Sequence, residues 1–392
     1  MNIVVAALSA PSQLNGVSRH GGNLVRALLS AGNIANVHFL CGEWQTEMFR
    51  RILPDEHPRL HVHRIPLRDV NLHRLLWYFR EMPEIARQLE ADIVHFTHPT
   101  PVGRGSYFCP TVLTLHDLYP FDIPENFGFL KSTFARQTVA HCLRQVNAIA
   151  CASESTRMQL AKWFPAEARK ATVVHNVVEL LPPSSVDSGI EALNGRVFIL
   201  CIAQHRLNKN VPLAIRIFER ALEKRVLDPE ARLVVMGIPG PDTKRIQRQI
   251  QRSHLCNRVL LLSGLSEGEL RWCYDNCALL LAPSSTEGFG LPLAEGILAG
   301  CRIACSDIPA FREIACSACR FVPWGEGILD NYAQAIRELL ALPKPASQSL
   351  PQFSPTVVGR QYLALYENLI CSGLLEFDML RQPEAASKAF NR

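Results

Sequence analysis

Glu287 and Glu295 bracket the segment Glu287-Gly288-Phe289-Gly290-Leu291-Pro292-Leu293-Ala294-Glu295, which follows an apolar strand pattern and opens a helical one. Gly288 and Gly290 let the backbone turn tightly and approach a ligand with no Cβ in the way. Pro292 suits the first position of a helix, where its missing N–H costs nothing. The free amides and partial positive charge of that helix N-terminus form a seat for a diphosphate. Carboxylates accept hydrogen bonds from vicinal hydroxyls, so a sugar and a ribose suit Glu287 and Glu295.

A second group of charges stands in Gln204-His205-Arg206-Leu207-Asn208-Lys209-Asn210, at the junction of a strand and a helix. Arg206 as a fork and Lys209 as a point charge can neutralise a diphosphate there. Basic residues are also ordinary in exposed loops, so the pair gains weight from the glutamate segment. Thr114-Leu115-His116-Asp117-Leu118 closes another strand pattern, and its His–Asp pair is either functional or mutually satisfied. Asn15-Gly16-Val17-Ser18-Arg19 falls between the first strand and the first helix, where Gly16 either admits donor phosphates or simply makes a turn. Asp92-Ile93-Val94-His95-Phe96-Thr97-His98 is a further strand, and His98 at its end is a candidate for the acceptor side, with Asp117.

These segments, in this order, resemble the retaining GT-B glycosyltransferases of the GT4 type (glycosyltransferase group 1). The resemblance extends from about Met1 to Arg320 and includes the strand and turn Gly300–Pro309. It implies that Glu287 contacts the transferred sugar and Glu295 the nucleotide ribose. It also implies that Arg206 and Lys209 hold the leaving pyrophosphate, that His116 lies near the sugar, and that Gly16 belongs to a glycine loop. The chain departs from the family at Lys209-Asn210, where Lys-Gly with a longer Arg-to-Lys spacing is usual. It departs again at His175-Asn176-Val177, where Val177 replaces a glycine, so His175 reads as structural.

The elements that must position these residues alternate short apolar runs with longer amphipathic ones, the pattern of parallel α/β folds. Strand patterns occur at Ile3–Leu8, Val37–Leu40, Ile93–Phe96, Thr111–Leu115, Ala148–Ala152 and Thr172–His175, and again at Val197–Ala203, Leu233–Met236, Val259–Leu262, Leu279–Ala282, Arg302–Cys305 and Arg320–Val322. Helical patterns include Gly21–Ser30, Asn71–Leu89, Leu130–Gln145, Glu154–Phe164, Val211–Glu223 and Pro292–Ala299. The stretch 181–195, with Pro182, Pro183 and Gly189, breaks the rhythm and reads as a linker. The expected organisation is therefore two facing Rossmann-like domains with a cleft between them. The resemblance implies that residues 1–180 form the acceptor-binding domain and 196–354 the nucleotide-sugar-binding domain. Residues 355–392 then supply a helix over Pro355–Ile370 and a mobile tail. Ligands of open α/β sheets bind beyond the C-terminal strand ends, which places the site in the cleft.

Composition narrows the function. The 392 residues are 48% hydrophobic and 20% charged, a globular balance, and the net charge of +5 is scattered without a basic run, so nucleic acid is not an expected partner. No apolar run is long enough to span a bilayer, and the first strand lacks the marks of a signal peptide. Thirteen cysteines, several inside apolar elements, fit reduced thiols in the cytoplasm. Cys316-Ser317-Ala318-Cys319 is a single CxxC and His61 and His63 lack a third ligand, so no metal site and no cofactor is expected. The Asn71–Leu89 pattern, with Leu72, Leu75, Leu76 and Phe79 among arginines, packs on its own sheet or lies on a membrane at the inner face. A retaining hexosyltransferase using a UDP- or GDP-sugar such as GDP-mannose, with a glycan or lipid-linked acceptor, is the leading expectation. A catalytically silent nucleotide-sugar-binding partner, or an epimerase or phosphorylase of the same fold, is the alternative. No GxGxxG fingerprint supports a dehydrogenase.

Overall fold

The computed structural model describes residues 1–9, 15–67, 70–103, 105–180, 190, 193, 195–315, 317 and 319–380, with 373–380 described by backbone alone. Apolar, often β-branched runs form thirteen strands among these residues: β1 Asn2–Ala6, β2 Asn36–Gly42, β3 Leu60–Ile65, β4 Ile93–Phe96, β5 Thr111–Leu115, β6 Ala148–Cys151, β7 Ala171–Val173, β8 Phe198–Ile202, β9 Arg232–Met236, β10 Val259–Leu262, β11 Leu279–Ala282, β12 Ile303–Ser306 and β13 Cys319–Val322. They build two parallel sheets, ordered β3-β2-β1-β4-β5-β6-β7 and β10-β9-β8-β11-β12-β13. Central strands such as Ile93–Phe96 and Ile303–Ser306 are buried at every residue, because helices cover both faces. Each sheet therefore has two apolar layers, one per face. This is the expected α/β architecture of two Rossmann-like sheets. Parallel pairing puts all C-terminal strand ends of a sheet on one edge, and the two edges face each other across the cleft.

Three elements differ from expectation. The first helix starts at Gly16 and not at Gly21, because Asn15 and Ser18 form a reciprocal capping box. Gly16 thus opens a helix and does not sit in a free loop. The Asn71–Leu89 pattern is not one helix. It is interrupted by a π-turn at Trp77–Glu81, where Met82 N–H bonds to Trp77 O. Pro83 has no N–H to give Phe79 O, so a regular ladder is interrupted there. The rotation buries Trp77, Tyr78, Met82 and Ala86 and turns Leu72, Leu76 and Phe79 to solvent. The expected linker 181–195 and half of the CxxC pair, at Cys316, fall outside the described residues, apart from Ile190, Leu193 and Gly195 in the former.

The last helix spans Pro355–Leu380, beyond the expected end at Ile370, and residues 381–392 lie outside the described residues. It packs on the first sheet's layer and not on the second's. Tyr362, Tyr366 and Val358 are buried with Leu24, Leu28 and Val5. Contact with the first helix is close enough that a Cβ on Gly359 would lie 2.1 Å from the Ala27 carbonyl oxygen. Gly359→Leu should therefore destabilise the fold by about 1–3 kcal/mol or more through overpacking. Thermal unfolding would register a melting point several degrees lower, and an unchanged value would mean that the two helices do not meet there.

Candidate active site in the interdomain cleft

The turn after β8 holds the cations. Leu207–Lys209 make one turn of 3-10 helix, and Asn210 adopts left-handed backbone, φ 51°. That turn is pinned from the other domain, since Asn126 Oδ1 accepts from Leu207 N–H at 2.8 Å and Asn126 Nδ2 donates to Asn208 Oδ1 at 3.2 Å. Lys209 Nζ points to Glu287 and donates to Oε1 at 2.6 Å and Oε2 at 2.7 Å. The loop after β11 carries Glu287, which is 6% exposed, and the Tyr119 hydroxyl reaches its Oε2 at 3.4 Å. Gly290, φ 111°, is the N-cap of the helix Leu291–Leu298, which buries Glu295 on its inner side. The Tyr274 hydroxyl donates to Glu295 Oε2 at 2.6 Å, and burial holds that carboxyl above its usual pKa.

The first domain supplies the facing wall. His116 follows β5, and its Nε2 donates to Thr97 O at 3.0 Å. A carbonyl accepts only, so His116 is protonated on Nε2, and burial pulls its pKa down to about 4. It is a neutral imidazole at physiological pH. Asp117 Oδ1 accepts from Tyr119 N–H at 3.1 Å, and burial raises its carboxyl, opposed by Arg206. Gly16 and Arg19 come from the start of the first helix. Arg19 lies between two carboxylates of the other domain, 4.0 Å from Glu295 and 3.7 Å from Glu267.

Gly16, His116, Asp117, Arg206, Lys209, Glu287 to Leu291 and Glu295 thus line one cavity of about 360 Å³. His98 stands behind them, bonded to the Thr97 hydroxyl at 3.2 Å and edge-on to Tyr78. Gly237 and Ile238, which follow β9, also line the cavity, and a Cβ on Gly237 would lie 1.9 Å from Ala203 O. Another concavity, of about 500 Å³, lies near the N-terminal ends of β4 and β5, with Asp92 as the sole ionised side chain in its lining among the described residues. Convergent charge singles out the cleft.

Residues 14–180 match Glycosyltransferase Family 4 and residues 187–350 match Glycosyl transferases group 1. The chain belongs to the GT4-type glycosyltransferases. Among curated relatives, the O-antigen chain mannosyltransferase RfbU of Salmonella typhimurium is 23% identical over 71% of this chain and 74% of its own length. The O-antigen chain mannosyltransferase B of Escherichia coli is 22% identical over 80% of this chain and 84% of its own. HepE of Anabaena, crystallised with UDP and glucose, superimposes with a TM-score of 0.62 at 16% identity, covering 96% of this chain and 99% of its own. WaaG, a glycosyltransferase of lipopolysaccharide biosynthesis, gives 0.60 at 16% identity, covering 95% and 98%. These structures share the GT-B fold.

In this glycosyltransferase the two domains are also stitched beside the cleft. The Thr156 hydroxyl donates to Gly288 O at 3.0 Å, and the Ser153 hydroxyl bonds to the same carbonyl. Glu313 accepts from Glu154 N–H at 2.8 Å, capping that helix from the other domain, and pairs with His175 Nε2 at 2.7 Å. Sequence reasoning assigned no role to Arg19, Tyr119, Asn176 or Glu313. Arg19 and Asn176 stood inside segments already singled out, Arg19 on the first helix and Asn176 in the loop after β7, so nearness to those motifs was the available signal. Tyr119 and Glu313 offered none, because their partners are more than a hundred residues away.

Four imidazoles of the first domain, the buried His20 and His95 and the half-buried His98 and His116, are all held below 6.5, chiefly by desolvation. A folded pKa below the unfolded one means that the unfolded chain takes up protons first as pH falls. Their contribution is complete above pH 6.5 and is lost as pH falls toward the folded values of about 3 to 4. The raised carboxyls of Asp117 and Glu295 act in the opposite sense but are fewer. Melting temperature should accordingly be lower at about pH 5 than at about pH 7.5; an equal or higher value in acid would show that these imidazoles are not buried neutral.

Proposed function

We propose that this glycosyltransferase moves a hexose from a nucleotide-diphosphate sugar to a glycan or lipid-linked acceptor, in the cytoplasm, retaining the anomeric configuration and using no catalytic metal. The observation that carries the reading is the convergence of Arg206, Lys209, Glu287 and Glu295 on one cavity at a helix N-terminus. A GDP-sugar such as GDP-mannose is supported by the mannosyltransferase relatives. A UDP-sugar is the alternative, supported by the UDP-bound fold neighbour.

In this mechanism the donor diphosphate lies against Arg206, Lys209 and the amides of Gly288 to Leu291, with Gly16 allowing the first helix to approach. Lys209 exchanges Glu287 for phosphate, and Glu287 turns to the sugar hydroxyls. Glu295, with Tyr274 behind it, accepts from the ribose hydroxyls. The bond from the anomeric carbon to the phosphate oxygen breaks as the acceptor oxygen bonds on the same face. The departing phosphate oxygen takes the acceptor proton, so no enzymic nucleophile is needed. Lys209 and Arg206 stabilise the charge developing on that oxygen. Neutral His116 orients the sugar, and Asp117 and His98 belong to the acceptor side. Exposed Leu72, Leu76 and Phe79 beside Arg80 support peripheral contact with a membrane carrying a lipid-linked acceptor.

Melting curves with UDP, GDP, ADP or NAD, all with EDTA, test the donor. A single ligand at a hundred times its Kd adds about 2.7 kcal/mol of stability, a readable shift. The expected result is a shift with GDP or UDP alone, and a shift only with NAD, or with none, refutes the reading. Glu287→Gln and Lys209→Ala should each lower transfer by about a hundredfold or more. Wild-type turnover in either variant removes the site assignment. Nucleotide binding without turnover on any acceptor would leave a silent binding partner, and NMR of the product's anomeric carbon decides retention.

A further inference from the structure

Behind His116 lies a buried polar chain that the proposed mechanism does not use. His20 sits edge-to-face against His116, ring centroids 4.6 Å apart. His20 Nδ1 is 2.9 Å from Asn176 Oδ1, and its Nε2 is 3.2 Å from Thr114 Oγ1. The same Thr114 hydroxyl is 2.8 Å from His95 Nε2 and 3.2 Å from the Tyr362 hydroxyl. His95 Nδ1 is 2.6 Å from the Tyr366 hydroxyl. Every member is at most 6% exposed, and both tyrosines belong to the last helix, far along the chain from their partners.

Hydrogen-bond capacity gives this chain one direction. Asn176 Oδ1 only accepts, so His20 carries its proton on Nδ1 and presents a bare Nε2. Thr114 must donate its single proton to that Nε2. Its oxygen then accepts from His95 Nε2–H and from the Tyr362 hydroxyl. His95 is left with a bare Nδ1, which accepts from Tyr366. All four ring nitrogens and the whole capacity of the Thr114 hydroxyl are used, and both imidazoles are neutral. A second proton on either ring would face a donor and break the chain, which agrees with burial lowering both pKa values. A fully satisfied buried network rigidifies what it touches.

We propose that Tyr362 and Tyr366 of the C-terminal helix are positioning residues for the sugar side of the donor site, acting through His95, Thr114 and His20 on His116 and Asn176. The proposal rests on the donor reading above, since it takes the sugar to lie against His116. It assigns the last helix a part in catalysis although that helix does not line the cavity.

The test uses the full chain with 15N-labelled histidine side chains. NMR of the wild type should show His20 protonated on Nδ1, and His95 and His116 on Nε2. The double variant Tyr362→Phe/Tyr366→Phe keeps the ring volumes and removes two donors. It should lower kcat about tenfold, the worth of one or two hydrogen bonds, while leaving the Kd for free GDP or UDP within about twofold. Thr114→Val should do the same at the node, with Thr114→Ser restoring activity to within about twofold. Where Thr114→Val fails to fold, the tyrosine pair and the tautomers still decide. Mixed tautomers in the wild type, wild-type kcat in the tyrosine variant, or a loss shared equally by nucleotide binding would overturn the proposal. Absence of nucleotide binding in the wild type would defeat the donor reading instead, with the tautomers reporting on the network separately.

Discussion

The arrangement of the cleft depends on one tight contact between the domains, at Gly288. A Cβ there would lie 2.0 Å from the His116 carbonyl oxygen, so only glycine lets the loop after β11 reach the end of β5. The Gly288 carbonyl is held by the Ser153 hydroxyl, and Thr156 Oγ1 lies 3.0 Å from both Gly288 O and His116 O, so its one proton bridges the two carbonyls. One short stretch thus ties together the strand end that bears His116, the helix Glu154–Trp163 and the loop that bears Glu287. Glu313 adds to the clamp by accepting the free amides of that same helix. With the clamp in place, Tyr119 reaches Glu287 and Arg19 reaches Glu295, so both glutamates are bordered by residues of the opposite domain.

The charges in this closed cleft are arranged so that a ligand can exchange partners with them. Lys209 is satisfied by Glu287, and Arg19 lies loosely between Glu267 and Glu295 at distances beyond hydrogen bonding. Leaving a buried carboxylate alone is strongly unfavourable, and its pairing with a cation offsets that cost. A nucleotide sugar brings anionic phosphates for the cations and hydroxyls for the carboxylates, so each group can keep a partner through the exchange. In the proposed mechanism a neutral His116 avoids placing a cation beside the anomeric carbon, which gains positive charge as the phosphate leaves.

Most of the strand framework was legible because parallel strands covered on both faces are continuous apolar runs. Ile93–Phe96, Thr111–Leu115, Val259–Leu262 and Leu279–Ala282 have the bounds expected of them. The charged turn at Arg206 to Lys209 and the glutamate loop were legible because their chemistry is local in sequence. The start of the first helix was missed because Gly16 and Ser18 are weak helix formers, while the Asn15 and Ser18 side chains outweigh that by capping. The Asn71–Leu89 stripe was misread because a π-turn shifts the face at Trp77, and periodicity assumes an unbroken helix. His20 and His95 carry no signal in sequence, since Thr114, Tyr362 and Tyr366 meet them only in the fold. No spacing rule reports a contact between residues 95 and 366.

That last contact bears on how the enzyme is assembled. The first sheet is built from residues 2–173, yet one of its covering helices is supplied by residues 355–380, after the whole second sheet has been made. Until that helix docks, Thr114 and His95 lack the Tyr362 and Tyr366 hydroxyls, and the apolar layer around Leu24, Leu28 and Val5 stays partly open. Buried polar groups without partners are costly, so the N-terminal sheet gains its last stabilisation only when the chain is nearly complete. Returning the chain across the cleft also fastens the two domains beside the Gly288 clamp, where Phe353 packs on Phe289 with ring centroids 5.2 Å apart. The domains are therefore joined at both the connecting segment near Val178 and the helix that begins at Pro355, where Val178 N–H bonds to Phe353 O at 2.9 Å. The two crossings therefore lie side by side next to the clamp, and the buried chain from His20 to Tyr366 ties the returning helix to the first sheet.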